Sequence, residues 1–261
     1  MKKTKKFLKN PIKGTKYAIM VSSAKGGVGK STFAINLAYS LQNLGKKIGL
    51  LDADVYGPSL TKLIGRNEKP KSEDGKFLHP IEHHGLQCIS MGFLIEENTP
   101  MIWRGPMVIS AIKTLVEKVL WKDLDFLIID MPPGTGDTQL TFAQDFKIDG
   151  AIIISTSQEL ALLDVKKGIE MFEKTEVKVI GLINNMSYFK SDDGKMHYIF
   201  GKDGVEQLSN RYSKEFLGEI PLNQDLRVSC DNGEPLTLLN SEHEISKIFN
   251  IFSKKIIEKF K

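Results

Sequence analysis

A glycine-rich run near the amino terminus carries the strongest chemical signal in the sequence. It spans residues 22–32 and has the letters S-S-A-K-G-G-V-G-K-S-T. An apolar run that predicts a strand precedes it, and a run that predicts a helix follows it, which is the setting of a phosphate-binding loop. Glycines allow successive backbone N–H groups to point at one anion, and the dipole of the following helix adds positive potential there. The run therefore predicts a nucleotide site, although Ala24 replaces the glycine that usually opens such loops.

Three side chains of this run have separate predicted tasks. Lys30 reaches the β- and γ-phosphates of the nucleotide, and the hydroxyl of Ser31 binds Mg²⁺. The letters K-G-G-V-G-K-S over residues 25–31 resemble the deviant Walker A loop of the MinD, ParA and nitrogenase iron protein class. That resemblance implies that Lys25 reaches across a dimer to the nucleotide of the partner. There its ammonium would act as an arginine finger does, by placing a cation where phosphoryl charge develops.

Carboxylates follow two of the predicted strands. Asp52 and Asp54 come directly after the apolar residues 48–51, and Asp130 ends the apolar run F-L-I-I-D over residues 126–130, which is a Walker B pattern. Ligands bind beyond the carboxyl ends of parallel strands, so we expect these three side chains at the nucleotide. We predict that Asp54 orients or deprotonates the attacking water, and that Asp52 and Asp130 hold Mg²⁺ through its water shell.

Two further positions complete the predicted nucleotide site. Gly134, in the run M-P-P-G-T-G-D over residues 131–137, can bring its backbone N–H close to a γ-phosphate and move when that phosphate leaves. The run N-N-M-S-Y over residues 184–188 lacks the aspartate that a guanine pocket needs, whereas the amide of Asn185 can bind the adenine edge, so we predict ATP and not GTP. The predicted nucleotide contacts are Ala24, Lys25, Gly26, Gly27, Val28, Gly29, Lys30, Ser31, Thr32, Gly134 and Asn185.

The elements that must position these residues alternate between strand and helix along the chain. Short apolar runs predict buried strands, and a helical pattern follows most of them. This alternation indicates an α/β fold, a doubly wound and mostly parallel sheet flanked by helices as in P-loop NTPases, in a single domain. The predicted strands cover residues 17–21, 48–51, 86–91, 126–129, 151–154, 177–183 and 216–220, and the predicted helices cover residues 30–45, 106–121, 160–174, 203–212 and 241–260.

Composition and charge argue against a membrane-spanning protein and against a nucleic-acid-binding protein. The chain has 261 residues, of which 41% are hydrophobic and 26% charged, and it has no apolar run of the ~18–20 residues that cross a bilayer. The net charge of +4 comes from a lysine-rich segment, residues 1–16, whereas the rest of the chain carries a small negative excess. We therefore predict a flexible basic tail over residues 1–16, an ATPase domain over residues 17–261, no nucleic-acid partner and no stable membrane association. Two cysteines cannot build a disulfide framework, which favours a reducing compartment, the cytoplasm.

The cysteines and one histidine pair are further candidate ligands. Cys88 falls on a predicted buried strand, where a thiol is inert, whereas Cys230 precedes a predicted turn and can be exposed. His83 and His84 lie in the polar segment 65–85, which predicts an exposed loop that can contain a hairpin, so we expect a solvated pair.

Most of the chain, residues 17–261, resembles the Mrp/ApbC family of iron–sulfur cluster carrier ATPases. The resemblance implies a homodimer that hydrolyses ATP and delivers assembled clusters, with scaffold proteins and apo iron–sulfur proteins as partners. Many members carry a C-x-x-C pair that ligates a cluster between subunits, but the corresponding residues 190–197 contain no cysteine here, so no cluster ligand can be assigned. The matching pieces are D-A-D-V-Y-G-P-S (52–59), W-R-G-P-M (103–107), D-M-P-P-G-T-G-D (130–137), N-M-S-Y-F (185–189), I-F-G (199–201) and L-G-E-I-P-L (217–222).

Two other functions stay open. A MinD- or ParA-like positioning ATPase would use the same loop, and the basic amphipathic helix predicted at residues 241–260 would then lie on a membrane. We favour docking of that helix on the sheet, because most apolar stripes along helices pack against a protein core. A nucleotide-gated adaptor, which binds ATP and recruits a partner with negligible turnover, would accommodate the missing cysteine pair.

Overall fold

The computed structural model describes residues 9–94 and 105–261. Residues 1–8 of the predicted tail and the motif residues Trp103 and Arg104 lie outside the described residues. The strands are β1 Thr15–Ser23, β2 Ile48–Asp52, β3 Ile81–His83, β4 Leu86–Ser90, β5 Leu124–Asp130, β6 Gly150–Ser155, β7 Val179–Asn185, β8 Phe189–Lys190, β9 Met196–His197 and β10 Phe216–Ile220. The helices are α1 Lys30–Asn43, α2 Leu60–Leu63, α3 Gly105–Lys118, α4 Asp137–Asp145, α5 Glu159–Lys174, α6 Gly204–Arg211, α7 Gln224–Asp231, α8 Leu236–Leu239 and α9 Glu244–Lys259, with a 3₁₀ turn at Met91–Phe93.

Eight strands of the described chain form one sheet in the order β10-β7-β6-β1-β5-β2-β4-β3. Neighbouring strands are parallel except β3 and β4, which form an antiparallel hairpin. Along the chain, β2, β3 and β4 form one side of the sheet, and β5 then inserts between β1 and β2. The later strands β6, β7 and β10 extend the sheet on the other side of β1. This order places β1 at the topological switch point, where ligands bind in doubly wound sheets.

Helices cover both faces of the sheet. Ala18 and Met20 of β1 belong to the core cluster beneath α3, α4, α5 and α6, whereas Ile19 and Val21 belong to the cluster beneath α1 and α9. Because both faces are buried, the central strands are apolar at nearly every position, which is the pattern that made them recognisable in the sequence. The predicted fold class, a doubly wound and mostly parallel α/β sheet, is confirmed.

All the predicted strands and helices occur, with ends displaced by a few residues. The short helices α2, α4, α7 and α8 were not predicted, because four to nine residues are too few for a helical period to stand out. One of them has a visible start signal: the side chain of Asn223 caps α7 by accepting from the backbone N–H of Leu226 at 2.9 Å.

The carboxyl-terminal helix α9 docks on the sheet through its apolar stripe. Ile245, Phe249, Phe252 and Ile256 are all buried in the cluster that includes α1. Phe249 packs against Phe33 of α1 with ring centroids 5.5 Å apart. The favoured interpretation of this helix is therefore confirmed, and the stripe is not free to lie on a membrane. Among the described residues, no helix combines the length and apolar character needed to cross a bilayer.

The segment that precedes β1 packs against the domain. The backbone N–H of Asn10 donates to the carbonyl of Asp145 at 2.8 Å, and the N–H of Lys147 donates back to the carbonyl of Asn10 at 2.8 Å. Ile12 is buried in the core. These contacts correct the predicted tail boundary at residue 16, because residues 9–16 are part of the folded domain.

The polar segment 65–85 is mostly an exposed loop, as predicted, but its end forms β3. His84 and Gly85 make the two-residue turn to β4, with φ values of 48° and 82°. His84 is exposed, whereas His83 is only 5% exposed and its Nδ1 hydrogen-bonds the hydroxyl of Tyr39. The expectation of a solvated pair is therefore wrong for His83, because strand alternation turns it toward α1.

The burial of His83 predicts a pH dependence of stability. Burial, with smaller contributions from His84 and Arg66, lowers the pKa of His83 to about 4 from 6.5. The unfolded chain therefore binds a proton more readily, so this residue's contribution to the free energy of unfolding is complete above pH ~6.5 and falls by up to about 3 kcal/mol as the pH drops toward 4. Urea denaturation from pH 7.5 to 4.5 measures the slope. His83→Asn should flatten it, and His84→Asn should not; identical slopes for wild type and His83→Asn would contradict this account.

Candidate functional site

The loop between β1 and α1 has the backbone geometry of a phosphate cradle. Gly27 and Gly29 have φ values of 80° and 82°, a left-handed conformation that favours glycine. A side chain at Gly26 or Gly27 would meet nothing within 4 Å, so this side of the loop is open to a ligand. Ala24 is not among the residues with a positive φ, and alanine therefore replaces the usual glycine without strain.

A buried ammonium group lies at the end of this loop. Lys30 is only 6% exposed, and its Nζ donates to Oδ1 of Asp130 at 2.5 Å and lies 3.9 Å from Oδ2 of Asp54. The sheet order explains this meeting, because β1, β5 and β2 are neighbours and these residues sit at or just beyond their carboxyl ends. Burial raises the pKa of Asp130, and the Lys30 ammonium opposes that rise.

Asp52 is the most deeply buried carboxylate of the site, at 1% exposure. Its Oδ1 accepts from the backbone N–H of Asp54 at 3.1 Å. Its Oδ2 accepts from the N–H groups of Ser59 and Leu60 at 3.0 and 3.1 Å, and from Oγ of Ser90 at 2.9 Å. Burial, with the nearby Asp130 carboxylate, raises the pKa of Asp52 to about 7. These bonds let Asp52 hold the 54–60 loop beside Ser90, and its predicted place in the water shell of Mg²⁺ stays a prediction.

The oxygen donors beside Lys30 fit a magnesium ion. The hydroxyl of Ser31 lies 3.4 Å from Nζ of Lys30 and beside the carboxylate of Asp130. Mg²⁺ prefers hard oxygen ligands and completes its octahedral shell with waters and phosphate oxygens. Ser31 and Asp130 are therefore the residues that would hold Mg²⁺.

The loop between β5 and α4, residues 131–136, lies against the end of β1. The backbone N–H of Gly134 donates to the carbonyl of Ser23 at 2.8 Å. The sequence assigned this amide to a γ-phosphate, whereas here it has a protein acceptor. The carbonyl at the end of β1 thus satisfies the backbone donor of the half-buried Gly134.

Sequence reasoning missed a buried glutamine that fixes this loop. Nε2 of Gln139 donates to the carbonyls of Pro132 and Gly134, both at 2.5 Å. Its Oε1 accepts from Oγ of Ser22 at 2.8 Å. The sequence held no local signal for this role, because Ser22 lies 117 positions away and nothing in the letters shows that the side chain turns back to Pro132 and Gly134.

A cavity of about 320 Å³ opens beside the phosphate-binding loop. Asn185 lines it, and its Nδ2 also donates to the carbonyl of Val28 at 2.8 Å. The predicted adenine contact thus lies at the cavity, but part of its amide supports the loop. A mainly apolar wall with a few polar groups suits a flat base. The lining includes Gly29, Thr32, Met186, Pro221, Leu222, Leu226 and Cys230.

Cys230 is buried, which corrects the expectation of an exposed turn. It lies within α7, and its Sγ accepts from Nδ2 of Asn36 at 3.5 Å. Cys88 is buried on β4, as predicted. Burial raises the pKa of both thiols, so neither is readily ionised to the thiolate that ligates iron.

The remaining candidates for metal binding are polar. Residues 190–197, where the resembled family carries its cysteine pair, include the β8–β9 hairpin, in which Oγ of Ser191 bonds Asp193 and His197. In residues 9–94 and 105–261, no group of three or more His, Cys, Asp or Glu side chains is placed to hold a metal ion. By contrast Lys25, the other lysine of the loop, is exposed and accessible to a second chain.

Gly29→Ala should lower the free energy of unfolding by about 1–3 kcal/mol. The added Cβ would lie 2.3 Å from Nδ2 of Asn185, and φ at this position is +82°. Chemical denaturation measures the change. Gly26→Ala is the matched control, because a Cβ there meets nothing within 4 Å and its φ is not positive. Equal losses in the two variants would contradict the clash with Asn185.

Comparison with known proteins identifies the family of this chain. The family model described as ParA, NUBPL iron-transfer P-loop NTPase, matches residues 14–257. An iron–sulfur cluster carrier protein of Escherichia coli K12 is 46% identical over 257 residues, which cover 97% of this chain and 70% of that protein. The mouse iron–sulfur cluster transfer protein NUBPL is 43% identical over 254 residues, which cover 96% and 80%.

Solved structures show the same fold. A nucleotide-binding protein from Archaeoglobus fulgidus, solved in complex with ADP, is 37% identical with a TM-score of 0.77 and covers 90% of this chain and 93% of its own. The cell division ATPase MinD of Pyrococcus furiosus is 20% identical with a TM-score of 0.68, covers 94% and 99%, and shows a shared fold alone. The chain belongs to the ParA/NUBPL family of iron-transfer P-loop NTPases.

Proposed function

We propose that this chain binds Mg-ATP, hydrolyses it as a homodimer and delivers iron–sulfur clusters to apo-proteins. The observation that carries the proposal is the buried Lys30 ammonium between Asp130 and Asp54 at the end of a phosphate-binding loop. Relatives at 43–46% identity that are named iron–sulfur cluster carrier or transfer proteins support the cargo. A reducing compartment, the cytoplasm, suits a chain whose two cysteines are both free.

The described residues divide the work of ATP hydrolysis. The loop amides bind the phosphates, and Lys30 gives up part of its contact with Asp130 to reach them. Ser31 and Asp130 hold Mg²⁺, which neutralises phosphate charge when bound. Asp54 orients the attacking water or takes its proton, and its position 3.9 Å from Nζ of Lys30 keeps it at the phosphate end of the site. Lys25 reaches the nucleotide of the partner.

Lys25→Ala should reduce ATP turnover by about 10³- to 10⁵-fold, because a trans cation is worth that much in related phosphoryl transfer. Nucleotide affinity should fall far less than turnover, since the proposed role of Lys25 is to stabilise charge that develops in the transition state. Phosphate release and nucleotide titration measure the two effects. Lys30→Ala is the contrasting variant, and it should lose both binding and turnover.

A mixing experiment separates trans from cis action. The Lys25→Ala chain keeps Asp54 in its own site, and an Asp54→Asn chain keeps Lys25 for its partner. If Lys25 acts across the dimer, the mixture should recover a substantial fraction of the wild-type rate although each variant alone is inactive. A mixture as inactive as its components would contradict trans action.

Anaerobic reconstitution with iron and sulfide tests the cargo. We expect uptake of a cluster that can be transferred to an apo iron–sulfur protein, followed by absorbance and by recovered acceptor activity. Cys230→Ser and Cys88→Ser should leave uptake intact, because both thiols are buried with raised pKa. If no cluster is bound or transferred by the wild-type chain, direct carriage is excluded.

The nucleotide-gated adaptor is the second candidate, favoured by the absence of cysteine from residues 190–197. It would bind ATP and recruit a scaffold or acceptor protein with negligible turnover. The rate of the Asp54→Asn variant decides between the two. A large fall in turnover supports the ATPase, whereas a rate equal to that of wild type supports the adaptor.

A further inference from the structure

The 131–136 loop is held on β1 by one side chain whose polar atoms all have partners. Gln139 is 1% exposed, and its amide donates to the carbonyls of Pro132 and Gly134 while its carbonyl accepts from Ser22. A buried carboxamide with three satisfied hydrogen bonds fixes its neighbours in one geometry, since losing any of them leaves a buried polar atom unpaired. Gln139 therefore links the 131–136 loop to β1 through buried hydrogen bonds.

The place where Gln139 and the 131–136 loop attach to β1 matters because it adjoins the phosphate-binding loop. Ser22 and Ser23 end β1 and directly precede the phosphate-binding loop. The carbonyl of Ser23 accepts the backbone N–H of Gly134 at 2.8 Å. That N–H cannot stay on Ser23 and also donate to a phosphate, so any contact between Gly134 and a phosphate requires the loop to leave this position.

The loop has room to move at Gly134. A Cβ built there would meet nothing within 4 Å, and the same holds at Gly136. The φ of +97° at Gly134 is accessible to glycine at little cost. Hydrogen bonds therefore hold Gly134 in place, and close packing around its Cα does not.

We propose that Gln139 is a positioning residue that latches the 131–136 loop on β1 and so lowers the preference of the site for a nucleoside triphosphate over a diphosphate. This inference rests on the proposed function. A γ-phosphate that takes the N–H of Gly134 has to break the bond to Ser23 and disturb both Gln139 bonds to the loop. A diphosphate has no such phosphate and leaves the latch closed. After hydrolysis, the same bonds return the loop to β1.

Gln139→Met tests the latch with a side chain of similar size that makes none of the three bonds. With Mg²⁺ present, calorimetric titration should show AMP-PNP affinity rising about 5- to 30-fold relative to ADP affinity, since one or two net hydrogen bonds no longer oppose loop release. The ADP affinity itself should stay unchanged. Hydrogen exchange at the Gly134 amide should become faster in the ADP complex, a readout that a general loss of stability would not confine to this loop.

Ser22→Ala is the second variant, chosen in case Gln139→Met does not fold. It removes only the link between β1 and Gln139, and Ser22→Thr is its matched control because threonine keeps the hydroxyl. The alanine variant should raise the AMP-PNP to ADP affinity ratio, and the threonine variant should retain the wild-type ratio.

The outcomes separate the latch from the proposed function. If wild type binds neither nucleotide, the proposed function fails and the latch fails with it. If wild type binds both and Lys30→Ala binds neither, the site is established. An unchanged affinity ratio in the folded Gln139→Met or Ser22→Ala protein then overturns the latch alone.

Discussion

A buried ammonium group beside two carboxylates is the interaction on which the site depends. Charges removed from water are costly unless they are paired, and Lys30 compensates Asp130 directly and Asp54 at longer range. The pairing requires β1, β5 and β2 to be neighbours, so the strand order and the charge balance constrain each other. The triphosphate of a nucleotide is a further anion that can pair with the Lys30 ammonium. Nucleotide binding is therefore an exchange of anions within a site that the sheet has already assembled.

The polar side chains around this ammonium mainly hold backbone in place. Asp52 anchors the 54–60 loop through three backbone donors and accepts a fourth bond from Ser90. Gln139 anchors the 131–136 loop through two bonds and β1 through a third, and Asn185 anchors the end of the phosphate-binding loop at Val28. All three are nearly inaccessible to water. Such groups position the backbone that touches a ligand, and their hydrogen bonds set how easily each segment can move.

The two halves of the proposed function have different supports. The nucleotide half follows from the geometry of named residues, with Lys30, Ser31 and Asp130 together at one strand edge. The cargo half follows from family membership and from the names of the relatives. Cys88 and Cys230 add nothing to it, because both thiols are buried and burial raises their pKa.

The sequence by itself determined the phosphate-binding loop, the order of strands and helices, and the roles proposed for Lys30 and Asp130. These features are local, because glycine spacing, apolar runs and the residue that ends a run can be read without knowing which elements pack together in the fold. Only the tertiary structure decided the partners of Asp52, the burial of His83 by a tyrosine 44 positions away, and the bond from Gln139 to Ser22 across 117 positions. It also buried Cys230 against Asn36, 194 positions away. A hydrogen-bond partner depends on which elements become neighbours, and local periodicity does not encode that choice.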